Sequence, residues 1–217
     1  MEEEAAAVRP SPLGLAVLSL LFAAPLHPYG MQRLIRLWGK DNVINVGQRA
    51  NLYKTIARLK DGGLVAVRQS ERNQQYPERT VYELTDAGRT AAREWLTDML
   101  AAPRREFPQF PAALSFAMLL TPEAAEAALA RRAEVLRERL TELEQDLERY
   151  SQVLPRVTLL DDDYRRVMTA AELGWINGLR DELRSGQLTW SKEQFVDMAN
   201  QDLGGQDLGG VDHQLTE

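Results

Sequence analysis

The stretch GQRANLYKTIARLKDGGL, residues 47–64, decides the fold. Leu52, Ile56 and Leu59 recur at the spacing of one helical face, which predicts a helix with this side packed in a core. Gly62-Gly63 ends the helix, because glycine accepts the left-handed conformation that a C-terminal cap requires. The opposite side of the helix is polar, so it is predicted to face solvent or a partner.

The elements on either side of this helix follow in a definite order. Residues 12–24 and 28–38 predict two helices before it, the first opened by Ser11-Pro12, a cap residue followed by proline at the first helical position. After it, residues 64–69 and 80–84 are short β-branched segments, which predict two strands joined by the polar stretch 70–79. Residues 85–101 predict a fourth helix.

Three helices followed by a two-stranded hairpin is the layout of a winged helix-turn-helix domain. In such a domain the third helix enters the DNA major groove and the hairpin tip lies over an adjacent groove or the backbone. Arginine suits a guanine edge and glutamine or asparagine an adenine edge, whereas lysine and arginine also suit phosphates. The predicted DNA-contacting residues are Gln48, Arg49, Asn51, Tyr53, Lys54, Thr55, Arg58, Arg68, Arg72 and Arg79.

Charge is distributed unevenly along the 217 residues. The formal net charge is −6, which as a whole-chain average argues against a nucleic-acid partner. Residues 26–105, however, carry 14 basic and 8 acidic side chains, whereas residues 106–217 carry 11 basic and 21 acidic ones. Chance differences between helix faces are one explanation. Two modules with different partners are the other, and the basic segment coincides with the winged helix.

Three motifs in this segment resemble the PadR family of transcriptional regulators. They are Leu26-His27-Pro28-Tyr29-Gly30-Met31, the run from Leu52-Tyr53 to Gly63-Leu64, and Tyr82-Glu83-Leu84-Thr85-Asp86-Ala87-Gly88. The resemblance covers about residues 13–100. It implies a homodimeric transcription factor, usually a repressor, in which Tyr53 is the recognition-helix tyrosine and Asn51 and Lys54 contact DNA beside it. Many members have Gly-Ser or Gly-Thr before Leu-Tyr, where this chain has Ala50-Asn51.

The second half predicts a long helix with a coiled-coil-like seam. Apolar residues recur every seven positions in two interleaved series from Leu129 to Leu154, and such a stripe needs a partner helix. Packing within the same chain is one solution, and a second stripe at Tyr164, Met168, Ala171, Trp175, Leu179 and Leu183 is expected to pack back antiparallel. A dimer is the other, with predicted dimerisation residues Leu129, Leu136, Leu140, Leu143, Leu147 and Tyr150.

The predicted fold class is mostly α with a small β-hairpin: an N-terminal winged helix-turn-helix domain and a C-terminal helical dimerisation domain. Pro103, Pro108 and Pro111 mark the boundary. The predicted ranges are a disordered N-terminus over 1–10, a DNA-binding domain over 11–102, a linker over 103–111, a helical dimerisation domain over 112–199 and a disordered tail over 200–217.

The expected partners are double-stranded DNA with a palindromic operator, a second copy of the chain, and a small aromatic effector of the kind that the resemblance implies. Aromatic side chains that suit stacking on the effector are Trp38, Trp95, Phe110 and Trp175. No cofactor, metal or catalytic activity is predicted, because the chain has no cysteine, only two distant histidines and no catalytic motif.

Two further expectations concern location and class. The apolar run 13–24 is too short to span a bilayer and follows an acidic start, so a cytoplasmic location is expected. The alternative function is a winged-helix protein-interaction module that recruits a partner through its coiled-coil arm. Cations placed on the third helix and the wing favour the DNA reader.

Overall fold

A computed structural model describes residues 8–47, 49–71, 79–191, 193–194 and 197. The chain divides into two compact units, residues 1–106 and 107–217. The described elements are mostly helical with one antiparallel hairpin, which confirms the predicted fold class. They are α1 Pro12–Ala23, α2 Pro28–Leu37, α3 Arg49–Asp61, β1 Val65–Glu71, β2 Arg79–Leu84, α4 Asp86–Ala101, α5 Gln109–Leu114, α6 Pro122–Ser151 and α7 Leu160–Ser185. No helix in the described ranges is both long and apolar enough to cross a membrane.

The core of the first unit forms around α1, whose sequence is apolar nearly all round. Ser11 begins this helix, because its Oγ accepts a hydrogen bond of 3.1 Å from the backbone N–H of Gly14. Side chains of all four helices and both strands join the core, and the fully buried ones include Val17, Leu18, Met31, Ile35, Leu52, Ile56, Leu59 and Val65. Val8 also packs against this core, although residues 1–10 were predicted to be disordered.

The connection between α2 and α3 is fixed by a buried amide. Gln32 is only 5% exposed, and its Nε2 donates a hydrogen bond of 3.2 Å to the carbonyl of Val46 just before α3. A buried amide without partners is costly, so this bond holds the connection in one conformation. The start of α2 is capped by His27, whose Nδ1 accepts from the N–H of Tyr29 at 3.1 Å.

The base of the hairpin is joined to α3 and α4 by the Thr85–Gly88 motif. The Oγ1 of Thr85 lies 2.7 and 3.0 Å from the carbonyl oxygens of Gly63 and Leu64, and it accepts from the N–H of Gly88. A Cβ on Gly88 would lie 2.0 Å from the carbonyl oxygen of Leu64, so only glycine fits. Gly63 itself has φ +71° and ends α3 as predicted.

The second unit is built on the antiparallel pair α6 and α7. Leu129, Ala133 and Leu136 of α6 pack with Ile176 and Leu183 of α7. Ion pairs flank this contact: Arg132 with Glu172, and Arg180 with Glu126 at 3.0 Å. The pairing of low-numbered with high-numbered residues shows that the two helices run in opposite directions.

Two expectations about this unit are wrong in detail. Leu129, Leu136 and Leu143 of the seam are buried within the chain, and Leu140 and Leu147 are half-buried, so most of the seam is not an exposed dimer surface; Tyr150 alone of the predicted set is exposed. The second stripe is right only at its end, where Leu179 and Leu183 pack in the core with α6. Tyr164, Met168 and Trp175 are half-exposed or more, and Thr169 and Ile176 are buried in their place. The reason is that α7 is apolar on two faces.

The ends of this unit differ from the sequence expectation in smaller ways. α5 begins at Gln109, inside the predicted linker 103–111, and a 3-10 turn at Ala117–Leu119 follows it. After α7, Trp190 donates a hydrogen bond of 2.8 Å to the carbonyl of Leu120, which holds the chain against the start of α6. Most of residues 192–199, at the end of the predicted dimerisation domain, and the whole predicted tail 200–217 lie outside the described residues.

Candidate nucleic-acid interface

Helix α3 presents a polar face whose side chains are exposed. Leu52, Ile56 and Leu59 are at most 1% exposed, which anchors the helix by its opposite side. The exposed face carries Asn51, Tyr53, Lys54 and Arg58, as the helical spacing predicts. Over the described residues, neither Lys54 nor Arg58 has a carboxylate oxygen within ion-pair distance, so their charges are available to an anionic partner.

A groove of about 570 Å³ lies along one flank of this face. It is bounded by the start of α1, the connection before α3 and α3 itself, and its lining residues are Ser11, Pro12, Leu13, Val43, Asn45, Asn51, Lys54, Thr55 and Arg58. Two cations and several hydrogen-bonding groups line it, and none of its described lining residues is acidic. That composition suits a phosphate.

Thr55 is placed differently from the expectation. It was predicted on the exposed face, but it is 9% exposed, because α1 packs beside it. Its hydroxyl makes no hydrogen bond to any residue that the structure describes, and its side chain lines the groove. Thr55 is therefore able to contact only a group that enters the groove and not a base edge in front of the helix.

Arg58 is positioned by the cap of α1. Its Nη2 donates a hydrogen bond of 3.2 Å to the Oγ of Ser11, the same atom that caps α1. A long guanidinium side chain loses less conformational entropy on binding when it is already held in place. Ser11 thus belongs to the site, and sequence reasoning identified it only as a helix cap.

Tyr53 of α3 and Tyr82 of β2 influence each other electrostatically. Tyr53 is half-exposed. Its charge affects the titration of Tyr82 in β2. Burial raises the pKa of the Tyr82 phenol, and the neighbouring Tyr53 raises it further, so at neutral pH this phenol keeps its proton as a donor. Tyr82 also pairs with Leu26 through two backbone hydrogen bonds of 3.0 Å, which fixes the wing beside α2.

The wing is described only at its base. Arg68 is exposed at a bulge in β1, where the register with β2 shifts, and its Nε lies 3.9 Å from a carboxylate oxygen of Glu83. An exposed pair at this distance contributes little, so it leaves Arg68 free to turn toward a phosphate. Gln48 and Arg72 lie outside the described residues; Arg49 and Arg79 begin α3 and β2, and the structure does not describe their side chains.

The four aromatic residues predicted for the effector are divided between the two units, with Trp38 and Trp95 in the first and Phe110 and Trp175 in the second. Trp95 is 6% exposed in the core of the first unit, and Trp38 is half-exposed at the end of α2. In the second unit, Phe110 and Trp175 meet edge to face with ring centroids 6.2 Å apart, and the Arg132 guanidinium covers the Phe110 ring at 3.8 Å. Trp95 and Phe110 therefore serve packing.

The first unit has the architecture that defines the winged helix-turn-helix class, with α2 and α3 as the helix pair and β1–β2 as the wing. Residues 17–94 match the model of the transcriptional regulator PadR-like family. The chain therefore carries a PadR-like transcriptional regulator domain, as the resemblance in its motifs predicted. This family consists of transcriptional regulators, in agreement with the prediction that the chain is not an enzyme.

Solved structures share this fold over most of their length. Bacillus subtilis PadR in complex with operator DNA is 16% identical with a TM-score of 0.66, over 80% of this chain and 99% of PadR. The same protein in complex with p-coumaric acid is 16% identical with a TM-score of 0.65, over 79% of this chain and 98% of PadR. The Vibrio cholerae virulence activator AphA is 20% identical with a TM-score of 0.59, over 80% of this chain and 98% of AphA. By sequence, no curated protein matches the chain.

Proposed function

We propose that the chain is a homodimeric repressor that binds a palindromic DNA operator and is released by a small aromatic effector. The observation that carries the DNA part is the exposed face of α3. Asn51, Tyr53, Lys54 and Arg58 lie there beside a groove whose described lining residues include no acidic side chain, on a domain of a family of transcriptional regulators. Phosphate-binding cations that have no carboxylate partner are the electrostatic signature of a nucleic-acid surface.

The exposed side chains of α3 divide by position into base readers and phosphate contacts. A major groove about 12 Å wide admits one helix, and the side chains at the front of that helix meet base edges. Asn51 and Gln48 suit an adenine edge. Arg49, at the start of the helix, suits a guanine edge. Lys54 and Arg58 border the groove beside α1, where a backbone phosphate fits, and Arg68, Arg72 and Arg79 of the wing suit phosphates on the adjacent backbone.

Dimerisation follows from the kind of site that one α3 can read. A single helix covers few base pairs, whereas a two-fold dimer presents two recognition helices to half-sites about 34 Å apart, one helical turn of DNA. Such a dimer reads a palindrome, because the symmetry of the protein is imposed on the sequence. Since the protein must reach its operator, we propose that it works in the cytoplasm.

The solved structures support operator DNA and a small aromatic molecule as the two partners of the proposed repressor. Bacillus subtilis PadR has been seen both with operator DNA and with p-coumaric acid, and we infer the same two kinds of partner here. Trp38 and Trp175 are the members of the predicted effector set whose rings remain half-exposed, so they are the available stacking surfaces. AphA is described as an activator, and reporter transcription with and without the protein decides between the two outcomes.

The test is selection of bound fragments from the source genome, followed by binding measurements with one enriched fragment. We expect a palindromic consensus, tight binding at low salt and weaker binding at high salt, and release by an aromatic acid. If no sequence is enriched even at low salt, the proposed DNA-binding function is wrong. If the chain has no DNA affinity and a stoichiometric protein partner co-purifies with it, the alternative function, a winged-helix protein-interaction module, is supported.

A further inference from the structure

A buried side chain of α2 holds the chain segment that leads into α3. Gln32 is 5% exposed, so its side chain does not contact DNA itself. Its Nε2 donates a hydrogen bond of 3.2 Å to the carbonyl of Val46, whose side chain is 2% exposed. Val46 lies three residues before Arg49, where α3 begins. The position of this one peptide group therefore sets where the recognition helix starts.

Other hydrogen bonds of the connection lie within the connection. The N–H of Ile44 donates to the carbonyl of Lys40 at 2.8 Å. The N–H of Gly47 donates to Oδ1 of Asn45 at 3.3 Å. Bonds of this kind shape the connection but do not join it to α2. The bond from Gln32 spans 14 residues, so it transmits the position of α2 to the start of α3.

Packing alone does not fix the connection, because the connection borders two open spaces. A cavity of about 350 Å³ is bounded by Arg36 of α2 and by residues 41–47. The groove beside α3 shares Val43 and Asn45 with this cavity as lining residues. Close packing holds a segment in place only where neighbouring atoms fill the space around it. Beside these spaces, a directional hydrogen bond decides where the backbone lies.

We propose that Gln32 is a positioning residue of the DNA interface: by holding the Val46 carbonyl it sets how α3 enters the major groove. It thereby determines sequence discrimination without touching DNA. This inference rests on the proposed DNA-binding function. Hydrogen bonds to base edges are short and directional, so they require the helix to be placed to within about 0.5 Å. A lysine on its flexible stem follows a phosphate through such a shift, and its contact carries no sequence information.

Loss of the bond therefore affects two kinds of DNA affinity differently. Without a donor, the Val46 carbonyl is no longer held, and the connection shifts toward the cavity. Asn51, five residues after Val46, then moves away from its base edge. Lys54 and Arg58 still reach the backbone from their exposed positions. We expect the affinity for the operator to fall and the affinity for other sequences to remain.

The test compares Gln32→Met with the unaltered full-length protein by fluorescence anisotropy of an operator duplex and a duplex of scrambled sequence. Methionine fills nearly the same space as glutamine but has no N–H to donate. The ratio of operator affinity to scrambled-duplex affinity should fall at least tenfold. The scrambled-duplex affinity should stay within threefold, with an unchanged salt slope. Both proteins are measured at a temperature at which circular dichroism shows them fully folded.

Ile35→Val is the matched control for lost stability. Ile35 lies about one turn further along α2 and is 1% exposed, so the change removes one methylene group from the same core and leaves the Val46 carbonyl bonded. Its affinity ratio should stay within twofold of that of the unaltered protein. If Ile35→Val lowers the ratio as far as Gln32→Met does, the effect comes from a weakened domain and the positioning role is wrong.

Hydrogen exchange followed by mass spectrometry examines the bond without DNA. In Gln32→Met, the amides of residues 41–47 should exchange at least tenfold faster than in the unaltered protein, because the connection opens locally. The amides of α4 should stay within threefold. Unchanged exchange over residues 41–47 overturns the inference, since the connection is then fixed by other contacts.

The outcomes separate this inference from the proposed function. If the unaltered protein binds its operator and Gln32→Met keeps the same affinity ratio, the positioning role is wrong and the DNA-binding function stands. Equal loss on both duplexes also overturns the positioning role. Faster exchange in a chain that binds no operator supports the hydrogen bond as the anchor of the connection. That result refutes the DNA-binding function, and with it the role of Gln32 in discrimination.

Discussion

Replacing Lys54 by alanine tests the role of the groove beside α3. Lys54 is exposed, borders the groove and has no carboxylate partner among the described residues. If each Lys54 neutralises one phosphate, a dimer of the variant loses two such contacts. Each contact contributes about 0.9 to the slope of log affinity against log salt, so the slope should become less steep by about 1.8. The affinity advantage of the unaltered protein should accordingly shrink about tenfold between 50 and 200 mM salt.

The assay is fluorescence anisotropy of a labelled operator duplex and of a scrambled duplex, each titrated at four or more salt concentrations. A phosphate contact carries no sequence information, so Lys54→Ala should weaken binding to both duplexes by the same factor. Arg139→Ala is the matched control, because it removes one exposed cation from α6 in the acidic second unit. Its salt slope should equal that of the unaltered protein.

Either of two results would refute this reasoning. An unchanged slope means that Lys54 meets no phosphate, and the groove then has another role. A loss confined to the operator means that Lys54 reads a base, and the division of α3 into base readers and phosphate contacts is wrong.

Four further outcomes are expected. Asn51→Ala should reduce discrimination at one base pair of each half-site by about 1–3 kcal/mol, measured by competition between single-substitution duplexes; equal loss on every duplex contradicts it. Gly88→Ala should destabilise the fold by about 3 kcal/mol or more in urea unfolding, since its Cβ would lie 2.0 Å from the Leu64 carbonyl oxygen, and an unshifted midpoint would show that the backbone relaxes. Ser11→Ala should cost about 1 kcal/mol through the lost cap and should also weaken DNA binding through Arg58, whereas a purely structural cap leaves affinity unchanged. Ile176→Ala, at a fully buried position, should cost about 2–5 kcal/mol, and a smaller cost would mean that the second unit collapses around the cavity.

Local signals in the sequence were sufficient for most helix boundaries. Ser11-Pro12 and Thr121-Pro122 begin α1 and α6, and in both the hydroxyl accepts from the N–H three residues later. Gly63 ends α3 with a positive φ. These interactions lie within one turn of the chain, so their geometry is independent of the tertiary structure, and a pattern of a few residues is enough to predict them.

Burial at the edge of a helical face was not predictable in the same way. Thr55 lies at the margin between the apolar and polar sides of α3, and the packing of α1 beside it decides that it is buried. For α7 the periodicity identifies apolar rows correctly but does not say which row meets α6. The hydrogen bond of Arg58 to Ser11 and the approach of Tyr53 to Tyr82 join residues far apart in sequence, and no local pattern encodes them.

The negative net charge and a DNA-binding role are compatible because the two units use their cations differently. In the second unit, Arg132 pairs with Glu172, and Arg180 and Arg184 both pair with Glu126. The positive charges of these arginines are therefore compensated by neighbouring carboxylates. On α3, Lys54 and Arg58 have no such partner in the described part of the chain. The field outside a protein depends on charges that are not compensated nearby. A positive surface around α3 is therefore compatible with a whole-chain charge of −6.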